Sequence, residues 1–408
     1  MSTLHLQRPT LPFRWPLPVA LIYLIGGTLQ YVGLISVTQC NILALVLLSH
    51  VFLFRSTWSR ASLELPIIVF AAFVIITQLI SSPPLENTLT YVYYLACTLI
   101  AAVAGRVYAN RWIERSSFDK LFRFTTWFLL LQLLVTLLQA SFTTTYVSMS
   151  RAAIGYEDAI FGTLFLQSDA ALATVCELII ILAFVLPCRA RVKYLLIGLA
   201  LAVVFLGNSK AAQACILALT ALLMVRSTAR ALRLTRNGLG ILAIAAVLLC
   251  GALTFSLWFD QVSGFIQQTQ DDYYRRDEWI TASRFAPIGQ IFSQGLSLFG
   301  DGPLTYYNPI TKTWLYNAGF STLYVLYIDY GLLGFCLYFG YQTYLVLKFS
   351  RGIIERACFF LVLASFTAFN FALSDLSFVF FFNFALALVH AFHFDAKNPE
   401  LNKIPSTA

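Results

Sequence analysis

From residue 17 to residue 393 the chain is a succession of apolar runs, each about one bilayer crossing long, separated by polar turns. A backbone inside the hydrocarbon layer must satisfy its own hydrogen bonds, which leaves only helices and closed barrels. The runs are continuous rather than alternating, so helix is the reading. Only 11% of the 408 residues are charged, where a soluble domain carries about a quarter. The expected fold class is an all-α polytopic membrane protein with about 12 transmembrane helices.

The candidate spans lie near 17–36, 41–54, 64–80, 88–107, 121–140, 168–187, 194–207, 211–225, 238–258, 331–347, 357–374 and 376–393. They form a single transmembrane domain, 17–393, between cytoplasmic tails at 1–16 and 394–408. Arg8 and Arg14 precede the first run, with no small-residue cleavage site after it, so it reads as a retained span rather than a removed signal. The eight cysteines form no Cys-x-x-Cys or Cys/His cluster and read as small core residues.

Charge fixes the expected orientation. With both termini in the cytoplasm, 21 of the 27 Lys and Arg fall on inside segments, and every inside loop is basic. The net charge of +8 therefore follows the membrane and is no sign of nucleic-acid binding. Six cations remain outside: Arg151, Lys210, Arg275, Arg276, Arg284 and Lys312. The four histidines (His5, His50, His390 and His393) all fall inside or near inside helix ends.

Three outside elements carry the polar chemistry. The first is the loop 141–167, with Arg151, Glu157 and Asp158. The second is the turn Gly207-Asn208-Ser209-Lys210 between the seventh and eighth spans. The third is the long loop 259–330 before the tenth span, whose polar stretch 259–317 holds Arg275, Arg276 and Arg284 among many aromatic residues. Arginine suits phosphate because its planar fork makes bidentate, charge-assisted hydrogen bonds and stays charged. The same arginines could instead pair with Glu157, Asp158, Asp271, Asp272, Asp277 and Glu278. Lys210 reads either as a cation fixed at the rim of a site or as a snorkelling interfacial lysine. The loop's tyrosines and tryptophans, Tyr306 and Tyr307 among them, suit stacking on sugar faces and equally suit an interfacial aromatic belt. Asp271-Asp272 lacks a third ligand, so no metal site is expected. Glu177 and Asp329 are acids in or beside apolar runs, where an ionisable group marks either function or a helix-packing partner.

The long loop and the helix after it resemble the O-antigen polymerase/ligase superfamily of bacterial surface-glycan enzymes. The matching residues are Arg275-x-x-x-Trp279, the stretch Gly295-Leu296-Ser297-Leu298-Phe299-Gly300-Asp301-Gly302-Pro303, then Asn317-Ala318-Gly319-Phe320, then Tyr330-Gly331-Leu332-Leu333-Gly334. The Gly207–Lys210 turn resembles the family's short Ser-Arg turn, with lysine in place of arginine. Some polymerases of the family carry an Arg, ten residues and a Gly in each of two periplasmic loops. Here Arg151 precedes Gly162, and Arg284 precedes Gly295, at that spacing. Ligases of the superfamily place a His-Asn pair before the Gly-Leu-Leu-Gly helix. This chain has no histidine there, and Asn317-x-Gly319-Phe320 resembles the polymerase version.

The resemblance implies a Wzy-type polysaccharide polymerase with a GT-C-like glycosyltransferase fold in the bacterial inner membrane. Its substrate would be an undecaprenyl-diphosphate-linked oligosaccharide repeat unit, polymerised at the periplasmic face into O-antigen, capsule or exopolysaccharide. A chain-length regulator and a flippase of the same pathway would be its partners, alongside membrane lipids. Preorganised cations would stabilise the departing diphosphate with no metal or cofactor. The candidate catalytic residues are Arg151, Arg275, Arg276, Arg284 and Asp301. Lys210, Gly162, Gly295, Tyr306, Tyr307 and Asn317 are candidates for substrate binding. Any general base remains open among Glu157, Asp158, Asp277, Glu278 and Asp301. The alternatives are an O-antigen ligase, a metal-dependent glycosyltransferase and a polysaccharide transporter or flippase. The missing histidine counts against the ligase, and the lack of a carboxylate in the first outside loop counts against the metal-dependent enzyme. The lack of a visible internal repeat counts against the transporter.

Overall fold

The computed structural model describes residues 26–36, 39, 42, 43, 45, 46, 65–82, 84–115, 118–150, 159–164, 169–207, 209–231, 297–300, 302, 303, 305–308, 313–316, 321–373 and 375–395. Its helices in chain order are α1 (Leu65–Ser81), α2 (Leu85–Arg115), α3 (Phe118–Ser141), α4 (Thr143–Met149), α5 (Asp169–Val185), α6 (Ala190–Leu206), α7 (Lys210–Ala231), α8 (Thr322–Phe349), α9 (Ile353–Phe369) and α10 (Leu376–Asp395). Nine of the twelve expected spans coincide with helices of this set. Of the other three expected spans, 238–258 lies wholly and 41–54 largely outside the described residues, whereas 17–36 is described from residue 26 on, helical as far as Tyr31. Four helices are long and apolar enough to cross a membrane, over Leu85–Asn110, Phe118–Ser141, Thr322–Phe349 and Leu376–His393. Three shorter apolar helices accompany them. The protein is a helical, multi-pass membrane protein.

Proline sets several boundaries. Pro84 comes immediately before α2, where its lost N–H would have no helical partner anyway. Pro187 follows α5 by two residues, cannot extend the helix and disfavours helical backbone in Leu186.

Three expectations are corrected. The loop 259–330 is shorter than expected, because α8 begins at Thr322 rather than at Gly331. The loop 141–167 contains the short helix α4. The all-α expectation misses one small hairpin, in which β1 (Thr305–Asn308) pairs antiparallel with β2 (Thr313–Tyr316).

Helix α10 is the centre of the described bundle. It packs against α2, α5 and α8, while α5 also meets α6, α7 and α9. Phe378, Phe380, Phe382 and Leu386 on α10 are all buried, as a helix apolar on every side requires. In lipid, helices gain nothing from leaving water, so close packing and interhelical hydrogen bonds hold them together. The α2–α10 seam provides both. Cys97, Ala101, Gly105 and Ala109 recur every fourth residue on α2, and all four are buried. A Cβ on Gly105 would stand 2.5 Å from the Phe380 carbonyl oxygen. One residue on, Arg106 donates from Nη1 to Asn383 Oδ1 at 2.9 Å.

Charge counting places Arg106 on an inside segment at the end of the fourth span and foresees no bond to α10. Helix α2 continues to Arg115, and Arg106 is 6% exposed, against a partner seven residues into α10. The cysteines divide: Cys97, Cys176, Cys215 and Cys358 are buried as expected, whereas Cys336 is exposed.

One end of the bundle is tied by charge. Glu355, in the first turn of α9, accepts from Arg226 of α7 at 2.5 Å and meets His393 Nε2 of α10 at 2.9 Å. Arg351, just past α8, donates to the His393 carbonyl at 2.8 Å. Burial acts to raise the Glu355 carboxyl, but Arg226 and His393 outweigh it and hold it below its ordinary range. Arg189 and Asp119 pair at 3.7 Å, both largely exposed, which contributes little. All these cations come from segments that charge counting assigns to one side, and the four-helix tie joins three of those segments in space.

Candidate functional site

Two of the stretches singled out in the sequence meet at a break in α8. The helix is interrupted at Gly331, whose φ of 62° and ψ of −160° are not helical. Residues 297–300 and Gly302 fold over this break as a clasp. The freed N–H groups of Leu332 and Leu333 donate to the Ser297 and Leu298 carbonyls at 2.9 and 3.3 Å. Gly302 N–H donates to the Asp329 carbonyl at 2.9 Å, and Ser297 N–H to the Tyr327 hydroxyl at 3.1 Å. The orphan backbone groups that any broken helix leaves are thus taken up by the clasp.

Glycine is required on both sides of this contact. A Cβ at Gly331 would lie 2.4 Å from the Leu298 carbonyl carbon, and one at Gly300 would lie 2.5 Å from Asp329 and Tyr330 backbone atoms. Both residues have positive φ, which side chains disfavour. The Gly-x-Gly turn of 300–302 and the Gly-Leu-Leu-Gly start at 331 are therefore two halves of one joint.

Behind the joint lies an aromatic box. Tyr330 packs edge-on against Tyr91 of α2 and Phe70 of α1, with ring centroids 4.7 and 5.4 Å apart. Phe371, between α9 and α10, closes on Tyr91 and Tyr94. Asp329 is fully buried beside this box. The Tyr91 and Tyr330 hydroxyls are buried without a hydrogen-bond partner. Nearby, Thr322 Oγ1 accepts from Ala372 N–H while the Thr322 N–H donates to the Asn370 carbonyl. The start of α8 is thereby held to the α9–α10 turn.

The segment between α4 and α5 is tied by two glutamines of α3. Gln139 accepts from Gly162 N–H at 2.9 Å and donates to the Gly162 carbonyl at 3.0 Å. Two helical turns earlier, Gln132 accepts from Thr163 N–H at 2.9 Å and donates to the Thr163 hydroxyl at 2.6 Å. Gly162 has a φ of 66°, and a Cβ there would lie 2.2 Å from Gln132 Oε1. Its visible role is to turn the backbone into this clamp. Tyr146 of α4 stacks on Tyr31 with centroids 4.2 Å apart. Burial raises the Tyr146 hydroxyl above its ordinary range, against a smaller lowering by Gln139. A Cβ at Gly207, in the turn before α7, would lie 3.8 Å from the Ile160 carbonyl oxygen. That turn and the segment between α4 and α5 are therefore close neighbours.

The candidate residues are placed as follows. Gly162 is in the glutamine clamp. Lys210 is the first residue of α7, next to the Gly207 turn. Tyr306 and Tyr307 are in β1, opposite Leu315 and Trp314. Arg151, Arg275, Arg276, Arg284, Gly295, Asp301 and Asn317 lie outside the described residues. Among the described residues no three His, Cys, Asp or Glu side chains gather as a metal site. The sequence reading missed Arg106, Tyr91 and the pair Gln132 and Gln139. Two glutamines seven residues apart on one face of an apolar helix were the available signal for the last.

No protein-family model matches the chain, and comparison with curated proteins gives no match.

Proposed function

We propose that the protein polymerises lipid-diphosphate-linked oligosaccharide repeat units at the outer face of the bacterial inner membrane, with all twelve spans present and both termini cytoplasmic. The growing glycan leaves its undecaprenyl diphosphate and joins the non-reducing end of a new lipid-linked unit. Arg151, Arg275, Arg276, Arg284 and Lys210 bind the departing diphosphate.

The observation that supports this reading is the joint between the clasp (residues 297–300 and Gly302) and Gly331. It brings together two sequence stretches that the superfamily resemblance pairs, at the root of the arginine-rich loop. The closeness of Gly207 to Ile160 supports it further, by bringing the turn that ends in Lys210 near the loop that carries Arg151.

A transporter is the second reading. It is favoured by the broken helix α8 and by two buried acids, Glu177 and Asp329. The test separates the two. Purified protein receives a lipid-diphosphate-linked repeat unit as sole substrate, and products are sized on a gel beside Arg284→Ala. A ladder lost in the variant supports the polymerase. Transfer only to an added lipid A-core acceptor moves the reading to ligase, and no transfer to either acceptor moves it to transport.

A further inference from the structure

Glu177 lies in the middle of α5, where α7 and α9 pack against it. It is 1% exposed, and neither carboxyl oxygen has a hydrogen-bond partner of good geometry. The polar group beside it is the thiol of Cys215 on α7. That thiol directs its own hydrogen to the Leu361 carbonyl of α9 at 3.7 Å. The Ser365 hydroxyl of α9 meets that thiol as well, so Glu177 faces one weak, shared S–H rather than strong donors.

Several charged groups on the surrounding helices bind elsewhere. Arg226 of α7, Glu355 of α9 and His393 of α10 bind one another, and Asp119 of α3 pairs with Arg189 just before α6. Cys176 precedes Glu177 on α5, and Cys358 of α9 faces Cys215. Among the described residues no cation acts on Glu177 to balance a negative charge, and an unpaired carboxylate in such a place is strongly disfavoured.

We propose that Glu177 is a proton-binding site in the membrane interior, loaded as the neutral acid at neutral pH. The ligand is a proton rather than a metal or alkali cation. Hard cations need several oxygen ligands, and here one carboxyl faces a thiol and apolar side chains. The proton latches α5 to α7 and α9, because its loss would strand a bare charge between them. This inference stands independently of the polymerase reading.

Infrared difference spectroscopy of the intact protein in lipid nanodiscs tests it. Wild type minus Glu177→Gln at neutral pH should show the carbonyl stretch of one protonated carboxyl, displaced in heavy water. Glu177→Asp should shift that band rather than abolish it, which keeps the test valid if the Gln variant folds poorly. Dicyclohexylcarbodiimide, an apolar reagent, gives a second readout. The acid's proton passes to a carbodiimide nitrogen, a carboxyl oxygen adds to the central carbon, and the O-acylisourea rearranges to an N-acylurea. The peptide containing residue 177 should gain the mass of one intact reagent, and the Gln variant should gain none. A difference spectrum showing ionised-carboxylate bands in place of the protonated carbonyl would overturn the proposal, whatever the labelling.

Discussion

Replacing Gly331 by alanine sets a methyl group against backbone on the far side of the joint. The new Cβ would lie 2.4 Å from the Leu298 carbonyl carbon and 2.6 Å from Phe299 N. Backbone atoms cannot swing away as a flexible side chain can. The φ of 62° with ψ of −160° adds about 1–3 kcal/mol of strain for any residue with a Cβ. The chain has one escape, which is to lift the clasp. That sacrifices the bonds made by the N–H groups of Leu332, Leu333, Gly302 and Ser297, each contributing about 1 kcal/mol. The cost of Gly331→Ala is therefore capped near 4 kcal/mol, with about 2–4 kcal/mol expected. Gly340 on the same helix is the control, because a Cβ there meets nothing within 4 Å. Gly340→Ala should gain about 1 kcal/mol from helix propensity. Thermal unfolding in one detergent, followed by tryptophan fluorescence, should order the proteins Gly340→Ala, wild type, Gly331→Ala from most to least stable. Hydrogen exchange should show Leu332 and Leu333 amides unprotected only in Gly331→Ala. If Gly331→Ala melts with Gly340→Ala and keeps those amides protected, the joint does not exist as described.

Three further outcomes are expected. Glu355→Gln should cost about 3–5 kcal/mol, because Arg226 keeps its buried position and loses its partner. The Glu355 carboxyl is held lower in the folded state than in the unfolded one, so the unfolded chain binds more protons in that range. Its contribution is thus complete above the ordinary carboxylate value of 4.5 and fades as pH falls below it, which melting curves across acid pH will show. Gly105→Ala should destabilise by about 1–3 kcal/mol, since the α2–α10 seam must open to admit a Cβ; a melting temperature unchanged from wild type would contradict that close approach. Tyr91→Phe should be neutral or slightly stabilising, because it removes a buried hydroxyl that has no partner, and a clear fall in melting temperature would mean that internal water serves that hydroxyl.

What the sequence could show was whatever depends on local pattern. The nine helices stand out because each apolar run is long and uninterrupted. The clasp was half legible: both of its glycine motifs were visible, but their contact joins residues about 30 apart through backbone approach, which leaves no periodic trace. The start of α8 was read as loop because the resemblance opens the helix at Gly331-Leu332-Leu333-Gly334, and here Gly331 is a kink inside a helix. The hairpin had a signal, since the β-favouring runs Thr305-Tyr306-Tyr307-Asn308 and Thr313-Trp314-Leu315-Tyr316 flank a short sequence that begins with Pro309. The Arg106 contact was illegible because counting charges treats an arginine at the end of an apolar window as a flank. Its true setting depends on Asn383, 277 residues away.

That separation also orders the protein's assembly. During synthesis α2 enters the membrane long before α10 is made. Until α10 arrives, Arg106 has no Asn383, and the small-residue seam around Gly105 faces lipid or other helices. An arginine buried in a helical bundle without that partner is costly, so the Arg106 end of α2 cannot settle early. The α2–α10 pair is therefore among the last contacts to form, and substitutions at Asn383 should trap partly inserted chains rather than merely weaken finished ones.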